Sequence, residues 1–122
     1  MISFGFTLAA CLAFALCGCG RSSAVSTHTG GDPERGEQLM RSRGCAACHS
    51  VPGIRKPRGV VGPALSGFAS RSYIAGVVPN TRRNLVRWVM DPPAVAPGTA
   101  MPAVGLNDAQ AEDVAAYLYT LD

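Results

Sequence analysis

Five consecutive residues, Cys45-Ala46-Ala47-Cys48-His49, constrain the fold of this chain more than any other feature of its sequence. Two thiols separated by one helical turn lie on the same side of the chain, and the histidine that follows is held beside them. Such thiols can add to the two vinyl groups of a haem, and the histidine then becomes an axial ligand of the iron. The motif predicts one covalently attached haem c per chain, held by Cys45, Cys48 and His49.

Two other interpretations use the same cysteines. A thioredoxin-like dithiol would use Cys45 and Cys48, but it needs alternating strands and helices around them, and the sequence shows no such pattern. A structural zinc site needs four ligands. The stretch from Asp32 onward offers only Cys45, Cys48 and His49, because His28 precedes it. Haem attachment is therefore favoured over both.

Three methionines are candidates for the second axial ligand. Met40 and Met90 fall on apolar faces of predicted helices, where methionine usually fills gaps in the core. Met101 lies in the loop Gly98–Pro102, from which a thioether can reach across the haem plane from His49. Because His/Met ligation fills the sixth position of the iron and raises its potential, Met101 favours an electron carrier over an enzyme.

The segment 1–19 is almost entirely apolar and contains no charged residue. Such a segment is typical of an export signal, and an uncleaved membrane anchor is the alternative. Its end, Leu16-Cys17-Gly18-Cys19, resembles the bacterial lipoprotein signal, in which the last cysteine is acylated. We predict lipid anchoring at Cys19 on the periplasmic face of a membrane or at the cell surface, with cleavage nearby and a freely soluble product as the alternative. The segment 20–31 has the composition of a flexible tether.

The remaining residues, 32–122, are expected to form one all-α domain with long loops rich in glycine and proline. Asp32, Thr81 and Asn107 are predicted N-caps, and Asn107 with Gln110 resembles a capping box. A buried face on the last helix is predicted by Val114, Tyr117, Leu118 and Leu121, which recur at helical spacing. The three main helices are predicted at about 32–43, 81–90 and 107–120. Loops of this length in so small a domain are explained if they wrap around a haem.

The net charge is a modest +3, far from the basic stripe of a nucleic-acid-binding protein. Two basic groups, one at 55–58 and one formed by Arg82, Arg83 and Arg87, could steer acidic redox partners toward the domain. They could equally be ordinary solvated charges. We expect a monomer that exchanges electrons with a protein donor and a protein acceptor and binds no nucleic acid.

The domain resembles class I cytochrome c along essentially all of 32–122. This resemblance implies that Gly36 packs on Tyr117 where the first and last helices cross at right angles, and that the Pro63 carbonyl orients the imidazole of His49. It places Trp88 near a haem propionate, although Trp88 is also explained by core packing. Met40 stands where the family usually has an aromatic residue. The matching residues are Gly36, Leu39, Gly44–His49, Gly62–Leu65, Trp88, Met101–Pro102 and Val114–Leu118.

One subfamily is more similar than the others. Residues 69–71, 75–81, 84–88 and 91–92 resemble the cytochrome c domain fused to subunit II of some haem-copper oxidases. Because 122 residues cannot also hold that subunit's copper domain and two membrane helices, we expect a stand-alone relative. The leading hypothesis is a membrane-tethered carrier between respiratory-chain partners. The alternatives are a haem-bearing subunit of a larger oxidoreductase and a gas-binding or peroxidatic cytochrome with an open sixth position.

Overall fold

The structure is a computed structural model that describes residues 30–55 and 59–122. The leader 1–19, most of the tether and Lys56 and Arg58 lie outside these residues, so acylation of Cys19 and the domain limits stay predictions. The described part contains five helices and one two-stranded antiparallel hairpin. Their bounds are α1 Pro33–Ser42, α2 Cys45–Cys48, β1 Tyr73–Ile74, β2 Val78–Pro79, α3 Arg82–Met90, α4 Pro92–Val95 and α5 Asp108–Leu118.

The three main helices that the sequence predicts are confirmed as α1, α3 and α5, with their caps. The Asp32 side chain accepts hydrogen bonds from the first turn of α1, and Thr81 accepts one at the start of α3. Asn107 and Gln110 form the complete capping box of α5. None of the helices within the described residues is both long enough and apolar enough to cross a membrane.

Two short helices and the hairpin add to the all-α prediction. Helix α3 ends before Pro92, as the sequence predicts, but a second helix, α4, begins at Pro92. Proline suits the first turn of a helix, and the Asp91 side chain caps α4 by accepting a hydrogen bond from the Ala94 amide. The hairpin pairs Ile74 with Val78. Strands of two residues are too short for an alternating pattern to reveal them.

Helix α5 forms the centre of the core and packs mainly against α1. Gly36 lies so close to α5 that an added methyl group would overlap the Asp113 carbonyl and the Tyr117 side chain. The contact between Gly36 and Tyr117 that the resemblance implies is thus confirmed. Met40 fills the position where the family has an aromatic residue, and it is only 2% exposed.

An ion pair that the sequence did not reveal joins the start of α1 to α5. The Asp113 carboxylate, buried on α5, accepts hydrogen bonds from Nε and Nη2 of Arg35 at 2.9 and 3.0 Å. It also accepts the backbone N–H of Asp32 at 2.7 Å. The bond to Arg35 lowers the pKa of Asp113 despite its burial.

Candidate cofactor site

The cysteine motif is folded as one helical turn directly after α1. Gly44 has φ 74°, in the left-handed region, and redirects the chain into α2. His49 follows in extended conformation and donates its backbone N–H to the Cys45 carbonyl at 3.0 Å. Cys45 and Cys48 are unpaired, partly buried thiols. Burial, and to a smaller extent the nearby Cys48, raises the pKa of Cys45.

The imidazole of His49 is held from its outer side by the loop that follows the motif. Its Nδ1 lies 2.8 Å from the Pro63 carbonyl oxygen. A carbonyl can only accept, so Nδ1 donates, and the lone pair of Nε2 is left for another partner. Any side chain at Gly62 would overlap the imidazole ring. The backbone contact that the resemblance implies between Pro63 and His49 is present.

A cavity of about 330 Å³ lies beside the motif. The structure brings six predicted site residues together around it, although they come from α2, α3 and two loops. Cys19, the other predicted site residue, lies outside the described residues. The six cavity-lining residues are Cys45, Cys48, His49, Pro63, Trp88 and Met101.

The cavity wall is predominantly apolar and suits a large, flat, hydrophobic cofactor. Buried side chains that contribute to the wall include Leu65, Phe68, Ile74, Leu85, Val89 and Leu106. With two thiols, an imidazole and a thioether at the same cavity, the donor set fits a haem iron and its vinyl groups. The residues present therefore fit the group that the motif predicts.

Arg71 is the charged residue among the described residues that line this cavity. Its guanidinium donates hydrogen bonds to the Ala64 and Ser66 carbonyls and lies 5.5 Å from the centroid of the Phe68 ring. Arg71 was not among the site residues predicted from the sequence. Arg71 does belong to the run 69–71 that resembles the oxidase-fused domain, but that resemblance gave it no role. Only the fold shows that the Arg71 side chain reaches the cavity.

Methionines line the cavity at two positions. Met40 belongs to the buried core of α1, as predicted, but it also reaches the cavity. Met101 is half-buried in its loop, where its backbone N–H donates to Thr99 Oγ1 at 3.2 Å. Met90 packs against the core. Trp88 both packs against the core and lines the cavity, so the two roles that the sequence left open for it are compatible.

The competing interpretations of the cysteine pair gain no support. Within 30–55 and 59–122, no three side chains among His, Cys, Asp and Glu come together as a metal site requires. The small hairpin of the described region is not the strand–helix alternation of a thioredoxin-like protein.

Comparison with known proteins decides the family. A model of the cytochrome c family matches residues 33–122. The chain belongs to the cytochrome c family. Its cofactor is haem c, an iron porphyrin attached covalently, and proteins of this family carry electrons.

The sequence of this cytochrome is similar to two kinds of relatives. It is 33% identical to cytochrome c oxidase subunit 2 of Alkalihalophilus pseudofirmus over 103 residues, which cover 84% of this chain and 29% of that subunit. It is 32% identical to cytochrome c2 of Rhodomicrobium vannielii, covering 80% of this chain and 85% of that protein. The chain thus spans less than a third of the oxidase subunit. The oxidase-like resemblance is confirmed.

Solved structures give the same fold. A chain of SoxXA from P. pantotrophus superposes with a TM-score of 0.62 at 26% identity, covering 75% of this chain and 82% of that one. Cytochrome c2 from Rhodospirillum centenum superposes with a TM-score of 0.57 at 25% identity, covering 75% and 98%. The predicted class I cytochrome c fold is confirmed.

Proposed function

We propose that this cytochrome is a mono-haem electron carrier in which His49 and Met101 are the axial ligands of the iron. Cys45 and Cys48 form the thioether bonds. The observation that carries the proposal is the orientation of His49, whose Nδ1 is bonded to the Pro63 carbonyl while Nε2 remains available at the cavity that Met101 also lines. Met101 would complete the coordination and leave no position for oxygen or peroxide.

The bound haem supplies a reversible one-electron couple, and the chain tunes it. The Pro63 carbonyl fixes the tautomer of His49 and strengthens it as a ligand. The apolar wall excludes water and lowers the local dielectric constant, which strengthens charge interactions near the iron. Trp88 and Arg71 line the cavity, and their N–H groups would be available as donors to the haem carboxylates.

Donor and acceptor are proposed to be respiratory-chain proteins at a membrane surface. Similarity to an oxidase subunit supports an oxidase as one of these partners. The apolar segment 1–19 and the sequence Leu16–Cys19 support export and lipid anchoring on the periplasmic face or at the cell surface. We further propose that the tether 20–31 links this anchor to a monomeric domain.

A haem-bearing subunit of a larger oxidoreductase is the second candidate. It is favoured by the oxidase relative, in which the matched segment is 29% of a longer subunit, and by the likeness to a SoxXA chain. A stable complex with another redox protein after mild extraction of the native protein would support this role. A carrier would instead be recovered alone.

Substitution of Met101 tests the ligand assignment. The wild type should show the weak long-wavelength band of a methionine–ferric bond and should not bind carbon monoxide. Met101→Ala should lose the band and bind carbon monoxide, because it opens the sixth position of the iron. Met40→Leu is the matched control, since Met40 lines the same cavity, and it should behave like the wild type.

Equal binding of carbon monoxide by the wild type and Met101→Ala would refute ligation by Met101. The gas-binding alternative would then be favoured. Loss of the band in Met40→Leu with retention in Met101→Ala would instead assign Met40 as the ligand.

A further inference from the structure

The loop that carries Met101 has little hydrogen bonding of its own. We call residues 98–106, which lie between α4 and α5, the methionine loop. Within residues 30–55 and 59–122, no hydrogen bond between two backbone groups involves residues 100–106. Gly98 and Gly105, near the two ends of the loop, have φ of 86° and 71°, a region that glycine enters readily. Contacts from other parts of the chain therefore decide where this loop lies.

Arg43 makes such a contact from the segment that leads into the cysteine motif. Its Nη1 donates a hydrogen bond to the Val104 carbonyl at 3.2 Å, and its Nη2 donates one to Oε1 of Gln110 at 3.4 Å. Gln110 lies in the first turn of α5, and the same oxygen accepts the backbone N–H of Asn107. One guanidinium thus connects the end of α1, the methionine loop and the start of α5.

The hydrogen bond to Val104 holds the methionine loop where the loop enters the core, shortly after Met101. Val104 packs against the core, and Leu106 is buried and lines the cavity. Nη1 of Arg43 also lies 3.6 Å from the position that a Cβ atom at Gly105 would occupy. The guanidinium therefore lies against two adjacent residues of the loop.

Arg43 acts from outside the cavity. It does not belong to the described residues that line the cavity, so an effect on Met101 passes through the methionine loop and not through contact with the haem. Arg43 is half-buried, and none of the ion pairs found among the described residues includes it. Because a charged donor forms a stronger hydrogen bond than a neutral one, its bond to Val104 holds the loop more firmly than a neutral side chain would.

We infer that Arg43 is a positioning residue for Met101, which holds the methionine loop closed and so limits the access of other ligands to the iron. The inference rests on the proposed function, in which Met101 is the sixth ligand. An external ligand can bind only after the Met101 thioether has left the iron and the loop has opened. Opening breaks the bonds to Arg43, and the apparent affinity of the external ligand falls with the fraction of open molecules.

Binding of imidazole to the ferric, haem-loaded protein measures this opening. Arg43→Met removes the guanidinium donors and keeps a long, unbranched side chain. Arg83→Met is the matched control, because it removes the same charge from an exposed position on α3. Absorbance titration gives the affinity for imidazole, and stopped-flow mixing at saturating imidazole gives the rate at which Met101 is released.

Arg43→Met should bind imidazole about tenfold more tightly than the wild type, since loss of a hydrogen bond from a charged donor shifts an equilibrium by about this factor. Release of Met101 should become faster, while the long-wavelength band of the imidazole-free protein remains. Arg83→Met should stay within about twofold of the wild type, because solvent screens an exposed charge. In a Met101→Ala background, Arg43→Met should have no further effect, because the sixth position is already open.

Equal imidazole affinities for Arg43→Met and the wild type, with the band present in both, would overturn the role of Arg43 and leave Met101 as the ligand. An effect of Arg43→Met that persists in the Met101→Ala background would also overturn it. A wild type that lacks the band and binds imidazole as tightly as Met101→Ala would instead refute the proposed ligation.

Arg43→Lys provides the same test if Arg43→Met does not fold with haem. Lysine keeps the charge but lacks the fork that reaches Val104 and Gln110 together. Its affinity for imidazole should exceed that of the wild type by about threefold, since it loses one of two hydrogen bonds. An affinity equal to that of the wild type would count against the inference.

Discussion

Asp113 shows how much of this fold depends on one side chain that no local pattern identifies. Among the described residues, Asp113 is the charged residue that is buried, and only 6% of it is exposed to solvent. Its carboxylate accepts two hydrogen bonds from the Arg35 guanidinium and one from the backbone N–H of Asp32. Because Arg35 itself is largely exposed, solvent screens much of the charge interaction, and the hydrogen bonds account for most of the stabilisation.

Asp113→Asn should lower the free energy of unfolding by about 1–2 kcal/mol at pH 7, since it weakens the bonds to Arg35 without removing the side chain. The folded-state pKa of Asp113 is lowered from its ordinary value of 3.8. The difference in free energy of unfolding between the wild type and Asp113→Asn should therefore be complete above about pH 4. It should disappear as the pH falls through the lowered pKa.

Denaturant unfolding of the haem-loaded proteins at several pH values measures this difference. Asp122→Asn, at the exposed C-terminus, is the matched control and should follow the wild type throughout. A constant difference between Asp113→Asn and the wild type across the acidic range would contradict the assigned linkage.

At the scale of elements, the packing of α1 on α5 depends on the absence of a side chain at Gly36. In most helices, replacing glycine with alanine stabilises the helix by about 1 kcal/mol. Here the new methyl group would overlap the Asp113 carbonyl, which belongs to helical backbone and cannot move alone. The steric effect should therefore exceed the gain in helix propensity.

Gly36→Ala should reduce the free energy of unfolding by about 2 kcal/mol, because the two helices must separate to accommodate the methyl group. Gln38→Ala, on the exposed face of the same helix, should change it by less than about 0.5 kcal/mol. Thermal and denaturant unfolding would measure both. A Gly36→Ala protein more stable than the wild type would show that α1 can shift without loss of packing.

Elements with local signals were predictable, and those without were not. The cap residues Asp32, Thr81 and Asn107 act within four residues of themselves, so their helices could be placed from sequence. The hairpin at Tyr73–Pro79 has only two residues in each strand, too few for a pattern. Helix α4 begins at Pro92, where the sequence predicted only a stop, because the same residue both ends one helix and starts another.

The whole molecule is organised around the haem cavity, whose lining includes residues of α1, α2, α3 and α5 and of the loops. Many of these side chains are buried and apolar, and without the haem they would face water instead of the cofactor. The haem is therefore expected to be necessary for the fold.

Protein produced without haem attachment should lack cooperative unfolding, because its core residues would line solvent instead of the cofactor. Near-ultraviolet circular dichroism and the dispersion of amide NMR signals should both be lost, while part of the helical far-ultraviolet signal remains. The haem-loaded protein prepared from the same sequence is the control. Well-dispersed amide signals from the haem-free protein would show that the protein core alone supports the fold.

The sequence by itself determined the cofactor and the three main helices, because these follow from neighbouring residues or from helical spacing. It also predicted Cys45 and Cys48 as the attachment residues, which remain a proposal. It also singled out Met101 as a ligand candidate, although that assignment remains a proposal. Only the tertiary structure placed Arg35 on Asp113 and the side chain of Arg71 at the cavity. The contact between Arg35 and Asp113 joins residues 78 positions apart, and the cavity is lined by residues of α1, α2, α3 and α5 together with loop residues. Such contacts depend on how the helices and loops pack, and no local sequence pattern encodes that packing.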